Sequence, residues 1–269
     1  MLGFITQEQW ENPKVLERLQ ARFRPGYGLH GVQDSLFGHP VFFLRQREIK
    51  GGTSTHHRRR QAELLRLLRQ NRVDAVAYAE NTAEKLELPP MDAWYLQSHF
   101  AGDVGVYVAQ KSGATAYCVF ASLGAVEERA LVKLAEHYRY LMIFAGRDTA
   151  MVCRALRRKY GLPVVEDPTR RQVHKADFAL LFATPSKDIA LASSCLAFSP
   201  RGKPVLAGGV QIKKAEFSIP HAIETQVPPG FSPEPILSEC ARRSMISTKG
   251  IEIRGISLDK GGETRYNVR

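Results

Sequence analysis

Short, nearly continuous apolar runs recur along this chain and alternate with segments whose apolar residues follow helical spacing. A strand with one face in solvent would alternate apolar and polar residues, so these runs indicate strands buried on both faces. Helices between such strands would cover a mostly parallel sheet, and the sequence therefore predicts an α/β fold. The apolar runs are LGFI (2–5), VFFL (41–44), VDAVAYA (73–79), LMIFA (141–145), ADFALLFA (176–183) and PVLAGGV (204–210).

The layout divides into two predicted domains. The segment 104–121 has alternating apolar residues on both sides of a Lys-Ser-Gly turn, which indicates a β-hairpin, whereas the glycine-rich segment 25–40 indicates a loop. We expect an N-terminal α/β domain with this hairpin, residues 1–139, and a second α/β domain with a proline-rich C-terminal extension, residues 140–269. Amphipathic helices are predicted at 12–23, 51–71, 125–138, 149–160 and 234–243, and a further strand at 250–256.

The segment 141–166 has the layout of a nucleotide-binding unit: strand, glycine turn, basic helix, strand. A turn at Gly146 would bring a ligand to the helix N-terminus, where free N–H groups and the helix dipole attract anions. Asp148 or Thr149 would cap the helix, and the Arg147 guanidinium suits a phosphate. Glu166 follows the turn at the spacing of about 20 residues at which an acid binds ribose hydroxyls.

In the order of their strands and helices, residues 140–210 resemble one half of a Rossmann-type dehydrogenase. The resemblance implies a Rossmann-like domain that binds NAD, NADP or another nucleotide or phosphorylated small molecule, and NAD(P)-dependent oxidoreductase is the first functional hypothesis. Small residues at 184–186 and 208–209 are expected beyond the carboxyl ends of neighbouring strands, where ligands of open α/β sheets bind. The residues expected to bind the cofactor are Gly146, Arg147, Asp148, Thr149, Glu166 and Thr184.

The glycine pattern of this turn is incomplete, which leaves a structural interpretation open. Arg147 and Asp148 stand where the G-x-G-x-x-G pattern has a glycine that lets the backbone approach a pyrophosphate. On the structural interpretation, Gly146 only allows a tight turn, Asp148 caps the helix, and Glu166 ends its strand in solvent. A non-catalytic protein that has the fold without the site is therefore a further hypothesis.

A second candidate anion site lies at the start of the segment 51–71, where a glycine-rich loop leads into a long helix. Two glycines and three hydroxyl residues before a helix can form a nest of N–H groups for an oxyanion. Basic residues in a first helical turn oppose the helix dipole, and a bound anion would relieve that conflict. The alternative is a glycine loop followed by a Ser or Thr cap. The residues expected to bind the anion are Gly52, Thr53, Ser54, Thr55, His56 and Arg58.

The same helix has an arginine-rich face. At about 100° per residue, five arginines fall on the side opposite Leu64, Leu67 and Leu68. Such a face is typical of a solvated amphipathic helix, and it also suits the phosphates of nucleic acid or another anionic surface. Nucleic-acid or anionic-surface binding is therefore the alternative function. The five arginines are Arg58, Arg59, Arg66, Arg69 and Arg72.

Composition narrows the classes of partner. The net charge of +11 favours anionic partners such as nucleotides, phosphorylated metabolites or nucleic acid. The first residues lack the basic region and long apolar run of a secretory signal, and no window is apolar enough to cross a bilayer. We therefore expect a basic cytoplasmic protein that does not insert into membranes. A homo-oligomer is an expectation only because folds of this kind often pair.

Nothing in the sequence indicates a metal site or a known catalytic motif. The four cysteines are far apart and form no C-x-x-C pair, so we expect reduced thiols that serve as small apolar residues. The motifs G-x-S-x-G and H-E-x-x-H are also missing. Catalytic residues, and whether the protein is an enzyme, are left open. The cysteines are Cys118, Cys153, Cys195 and Cys240.

Overall fold

The computed structural model describes residues 1–8, 17, 20, 24, 26–47, 54–80, 82, 88–120, 125–144, 149–166, 168–182, 190–201 and 208–259. The strands are β1 (Leu2–Glu8), β2 (Leu29–Leu36), β3 (His39–Arg47), β4 (Ala75–Tyr78), β5 (Ala116–Phe120), β6 (Tyr140–Phe144), β7 (Val164–Glu166), β8 (Phe178–Leu181), β9 (Leu196–Phe198), β10 (Val210–Ser218) and β11 (Glu252–Leu258). The helices are α1 (Ser54–Gln70), α2 (Trp94–His99), α3 (Ala101–Ser112), α4 (Ala125–Ala135), α5 (Thr149–Tyr160), α6 (Arg170–Val173), α7 (His221–Glu224) and α8 (Pro233–Arg242).

The chain divides into two compact units, and neither is continuous in sequence. Unit 1 comprises Met1–Ala93 and Pro220–Thr248, and unit 2 comprises Trp94–Ile219 and Lys249–Arg269. The division expected at residue 139 would separate β5 from β6, which are parallel neighbours in one sheet. The expected domains 1–139 and 140–269 are therefore corrected, because the chain leaves unit 1 near residue 93 and returns to it near residue 220.

Unit 1 is built on a four-stranded sheet in the order β2-β3-β1-β4. β1 runs parallel to β3 and β4, whereas β2 is antiparallel to β3. Leu64 and Leu68 of α1 pack on one face, in a cluster with Ile5. Ile236 of α8 packs on the other face, in a cluster with Phe4. A helix thus covers each face of this sheet, as continuous apolar strands require.

The hairpin of the N-terminal portion lies at 29–47, where β2 and β3 meet. Its two-residue turn is Phe37 and Gly38, with φ values of 51° and 75°. Two positive φ values give the turn whose twist matches that of paired strands. The loop expected over 25–40 from its glycines is therefore wrong for β2 and the start of β3. No Asn-Gly or Asp-Gly dipeptide marks this turn in the sequence.

The segment 104–121, expected to be a hairpin, is instead α3 followed by β5. Val104 and Val108 are buried one helical turn apart. Gly113 has a φ of 68° and ends α3 as a left-handed C-cap. A glycine that caps a helix cannot be told from a glycine in a hairpin turn by sequence alone. The valines at 104, 106 and 108 alternate as in a strand, and those at 104 and 108 also have the spacing of one helical turn. The predicted hairpin at this position is therefore wrong.

Unit 2 is built on a seven-stranded sheet in the order β11-β10-β9-β8-β5-β6-β7. From β10 to β7 all neighbouring strands are parallel, and only β11 is antiparallel. Tyr117 of β5 donates its hydroxyl to the carbonyl of Leu131 in α4 at 3.2 Å. Its neighbour Ala116 points to the opposite face and packs in a cluster with Val173 of α6. The predicted mostly parallel sheet covered by helices is thus confirmed.

Most of the remaining predicted elements are present with small shifts of their ends, whereas β9, β10 and the short helices α2, α6 and α7 were not expected. β9 was missed, and β10 begins at Val210, where the predicted strand 204–210 was to end. Residues 202–207 lie outside the described residues. The helix expected at 12–23 is described only at Glu17 and Gln20, which are both helical. Among the helices that the structure describes, none has the length and apolar character that a membrane crossing needs.

Candidate functional site

The carboxyl ends of the parallel strands in unit 2 form one edge of the sheet. Counted from β5, the order across the sheet is 3-2-1-4-5-6, and it reverses between β5 and β8. From β5 the chain continues to β6 on one side, whereas β8 lies on the other side, so the connections after β5 and β8 lead away from each other. In open α/β sheets a ligand binds in the crevice at this point. The two connections, 121–124 and 183–189, lie outside the described residues.

The nucleotide-binding unit predicted from 141–166 exists as β6, α5 and β7, and β6 and β7 are parallel neighbours. It is the second strand–helix–strand unit counted from β5. The pyrophosphate of a dinucleotide lies at the first such connection, which here follows β5. The segment that contains Gly146 follows the second strand of this order, not the first, and lies outside the described residues.

Glu166, expected to bind ribose, is held by an arginine of its own unit. Arg157 Nη1 donates to Glu166 Oε1 at 2.6 Å, and Arg157 Nη2 donates to the carbonyl of Val164 at 2.6 Å. These bonds tie α5 to β7. The carboxylate of Glu166 thus already receives a charged hydrogen bond, and its role in ribose binding stays a prediction.

The other members of the predicted cofactor set are described only in part. Thr149 is the first residue of α5. Gly146, Arg147, Asp148 and Thr184 lie outside the described residues, so their binding role stays a prediction. The glycines at 208–209 were expected at a carboxyl end, but they precede β10 at its amino end, beside the first residue of β9. That expectation is wrong, because the strand begins where it was predicted to end.

The predicted anion site at the start of α1 is also described in part. Its exposed members are Ser54, Thr55 and Arg58, whereas Gly52 and Thr53 lie outside the described residues. His56 is 8% exposed and lies on the buried face of α1, in line with Arg60 and Leu64. This face packs on the sheet of unit 1, and the role of these residues in anion binding stays a prediction.

Arg60 is a buried cation that the sequence analysis did not single out. It is 4% exposed, and its Nη1 donates to the carbonyl of Tyr27 at 2.9 Å. Its Nη2 donates to the carbonyl of Arg47 at 2.8 Å, at the end of β3. Arg60 thus ties α1 to both ends of the hairpin. Its spacing of four residues from Leu64 is the signal that could have marked it as buried.

The arginine face of α1 is exposed, as its helical spacing predicts. Arg66 is bound by Glu63, with Nη2 and Oε1 at 2.6 Å. The hydrogen bond from Arg66 lowers the pKa of Glu63, so this pair stays charged at neutral pH. The other exposed members are Arg58, Arg59, Arg69 and Arg72.

Beyond the carboxyl end of β9, the side chain of Gln97 forms the hydrogen bonds with the edge of β10 that a neighbouring strand would otherwise form. β9 pairs with β10 only as far as Phe198 and Ile212. Beyond that point, Gln97 Nε2 donates to the carbonyl of Ala215 at 3.0 Å, and Gln97 Oε1 accepts from the N–H of Ala215 at 3.0 Å. α2 therefore lies along the edge of β10 that β9 leaves uncovered.

Aromatic and basic groups accompany α2 at this edge. The guanidinium of Arg201, three residues after β9, lies 5.4 Å from the centroid of the Trp94 ring. His99 is half-buried at the other end of α2. Burial lowers the pKa of His99, the charge of Arg129 lowers it further, and Asp103 acts in the opposite direction. The sequence has no periodic signal for this group, because its members come together only in the fold.

Cys153, Cys195 and Cys240 are buried and free of disulfides. Burial raises the pKa of the Cys195 and Cys240 thiols to about 12, so both are protonated and unreactive at neutral pH. The expected role as apolar residues fits these sites. Among the residues that the structure describes, no three His, Cys, Asp or Glu side chains come together as metal ligands do.

The sequence matches no protein family and no curated protein. Among solved structures, the chain is similar to D-mandelate dehydrogenase from Rhodotorula graminis, with a TM-score of 0.30, 10% identity, and coverage of 77% of this chain and 76% of that one. It is also similar to L-tryptophan dehydrogenase from Nostoc punctiforme, with a TM-score of 0.32 and 13% identity. The match covers 88% of this chain and 71% of that one. TM-scores this low do not indicate a function for this chain.

Proposed function

We propose that unit 2 binds a nucleotide, and that the ligand is the dinucleotide NAD or NADP of an oxidoreductase. The site lies at the carboxyl edge of the sheet, between β5 and β8. The observation that carries the proposal is the reversal of the parallel strand order at this point. A positively charged protein also suits a ligand with phosphates, since the net charge is +11.

The first connection contains small residues and one glycine, as AGRD at 145–148 does. Residues 121–124 read Ala-Ser-Leu-Gly, and α4 begins directly after them. α4 follows a strand of the parallel sheet, so its N-terminus is at the carboxyl edge, where helix N–H groups bind phosphate. Gly124 supplies one position at which the backbone of this connection can approach the ligand closely.

The strand order also changes the role proposed for Arg147 and Asp148. Both follow β6, the second strand, at about 20 residues beyond the first connection. At that spacing an acid binds the ribose hydroxyls of NAD, whereas an arginine suits the 2′-phosphate of NADP. We therefore assign these two residues to ribose recognition and not to the pyrophosphate.

Titration calorimetry and thermal shift with NAD and NADP test this proposal. A ligand at a hundred times its dissociation constant stabilises the folded state by about 2.7 kcal/mol. Asp148→Ala should weaken NAD, and Arg147→Ala should weaken NADP more than NAD. Glu166→Ala is the matched control, and it should leave both affinities unchanged because Glu166 is paired with Arg157. The proposal fails if neither dinucleotide binds, or if Glu166→Ala abolishes binding.

The exposed arginine face of α1 supports a second candidate function, binding of nucleic acid or another anionic surface. All five of its arginines are exposed, and only Arg66 has an ion pair with another described residue. A double reversal, Arg59→Glu with Arg69→Glu, should weaken binding to a short oligonucleotide and reduce its salt dependence. Arg254→Glu with Lys213→Glu, two exposed residues of unit 2, makes the same change of net charge and is the control. Equal loss from both variants would mean that net charge alone attracts the oligonucleotide.

A further inference from the structure

Among the strands that the structure describes, β2 is an open edge of the unit 1 sheet. It pairs with β3 on one side and ends the strand order on the other. Every residue from 30 to 35 is exposed. The strand has no lysine, no proline and no break of register against β3, which are the features that usually protect an edge from further pairing.

An apolar row crosses this sheet and ends in solvent at β2. Ala77, Phe4, Phe43 and Val32 lie side by side on neighbouring strands. Phe4 is fully buried, and its ring stacks on that of Phe43 with centroids 5.0 Å apart. Val32 is 58% exposed. The row thus lacks a neighbour on its outer side, next to Val32.

The hydrogen-bonding pattern leaves a short window open on the outer edge of β2. The N–H of Arg47 donates to the carbonyl of Gly28 at 3.0 Å, so even-numbered residues of β2 bond to β3 and odd-numbered ones point outward. The outward N–H of Leu29 already donates to a loop carbonyl, and that of Ser35 to the Asp34 carboxylate. The outward groups between them belong to Gly31 and Gln33.

We propose that a second copy of this chain pairs with this edge, antiparallel and with its two-fold axis at Val32. In that register Gly31 lies opposite Gln33 of the second copy, so the open backbone groups of both chains bond to each other. Val32 lies opposite Val32 of the second copy as a close, non-hydrogen-bonded pair. The two sheets become one, and the apolar row continues across the axis.

The pairing of polar side chains supports this register. The same register places His30 opposite Asp34 of the second copy, twice, on the same face as Val32. An imidazole N–H can donate to a carboxylate directly across paired strands. Arg45 lies beside His30 on β3, and its Nη1 lies 3.8 Å from Glu8 Oε1. A shift of two residues in either direction would remove the Val32 contact from the axis.

A symmetric cross-link tests the pairing. Val32→Cys should form a disulfide-linked dimer on mild oxidation, because the two residues meet at the axis. His30→Cys is the control: its two copies would lie four residues apart along the paired strands, about 13 Å, too far for a disulfide. The unmodified chain, with its native cysteines, gives the background. Equal cross-linking of both variants, or none with Val32→Cys, would overturn the proposal.

A charge swap, followed by light scattering after gel filtration, tests the register a second way. His30→Asp alone places four carboxylates at the junction and should give a monomer. His30→Asp combined with Asp34→Lys restores opposite charges and should restore the dimer. Both residues are exposed, so the single variant keeps its fold, which circular dichroism verifies. A monomeric unmodified chain, or a dimer that survives His30→Asp, would overturn the proposal.

Discussion

Gln97 is predicted to stabilise unit 2 by closing the edge of β10. Its side chain makes two hydrogen bonds with Ala215, and both residues are buried. Gln97→Met keeps the length of the side chain and removes both bonds. A buried donor or acceptor left without a partner costs about 1–3 kcal/mol, so the substitution should lower the free energy of unfolding by about 2–6 kcal/mol.

Gln97→Glu should make this loss depend on pH. The ionised carboxylate can accept from the N–H of Ala215, but its second oxygen would face the carbonyl of Ala215 and repel it. The protonated acid can donate to that carbonyl, so folding favours protonation and raises the pKa of the new carboxyl group. Its stabilising contribution is complete below the unfolded pKa and is lost as pH rises through the folded pKa. The variant should therefore approach the stability of the unmodified protein only in acid.

Urea unfolding, followed by circular dichroism at pH 4 and pH 7, measures both effects as shifts of the midpoint at constant slope. Gln110→Met and Gln110→Glu are the matched controls, since Gln110 is exposed at the end of α3. Surface changes of this kind stay within about 0.5 kcal/mol. A Gln97→Met variant as stable as the Gln110→Met control would refute the reasoning, and so would a Gln97→Glu variant that gains stability as pH rises.

Two further predictions concern packing and charge. Gly105→Ala should lower the free energy of unfolding by about 1–2 kcal/mol, because the added methyl group would lie 2.1 Å from Leu134 Cδ2 and 2.8 Å from Phe178 Cε1. This overpacking outweighs the gain in helix propensity. A raised thermal midpoint would contradict the prediction. Glu239→Gln should cost about 1–3 kcal/mol at pH 7 through its charged hydrogen bonds with Arg242 and Arg243. The bond from Arg242 lowers the pKa of Glu239 while burial opposes it, so this contribution is lost as pH falls. The variant should lose less stability in acid than the unmodified protein does, and equal acid sensitivity in urea titrations would contradict the assignment.

Local periodicity was enough to predict most of the elements, and it failed where two structures share one pattern. The unit β6–α5–β7 was predicted because its strands are continuous apolar runs and its helix is strongly amphipathic. The segment 104–121 was misassigned because Gly105 allows close helix packing and Gly113 caps a helix, and both resemble glycines of a hairpin. The turn at Phe37 and Gly38 was missed because phenylalanine rarely has the positive φ found there.

The sequence was enough to predict a nucleotide site in this sheet but not its position, because the position depends on the order of all the strands. The sequence indicates that β6 and β7 flank a helix, but not that β5 lies beside β8. Without that neighbour, the sequence gives no reason to expect the phosphate site after β5 rather than at Gly146. The partner of Glu166 was also hidden, since Arg157 reads as an ordinary residue of a basic helix. Gln97 and Arg201 came to notice only through contacts with residues distant in sequence.

Hydrogen exchange with and without saturating NAD and NADP tests the central claim most directly, because it reads each connection of the sheet separately. A dinucleotide bound between β5 and β8 should slow exchange in 121–124 and 183–189, and in 145–148 through the ribose. The amides around Glu166 at the end of β7 should change little. Protection confined to 145–149 and Glu166, with none in the connections after β5 and β8, would contradict the account.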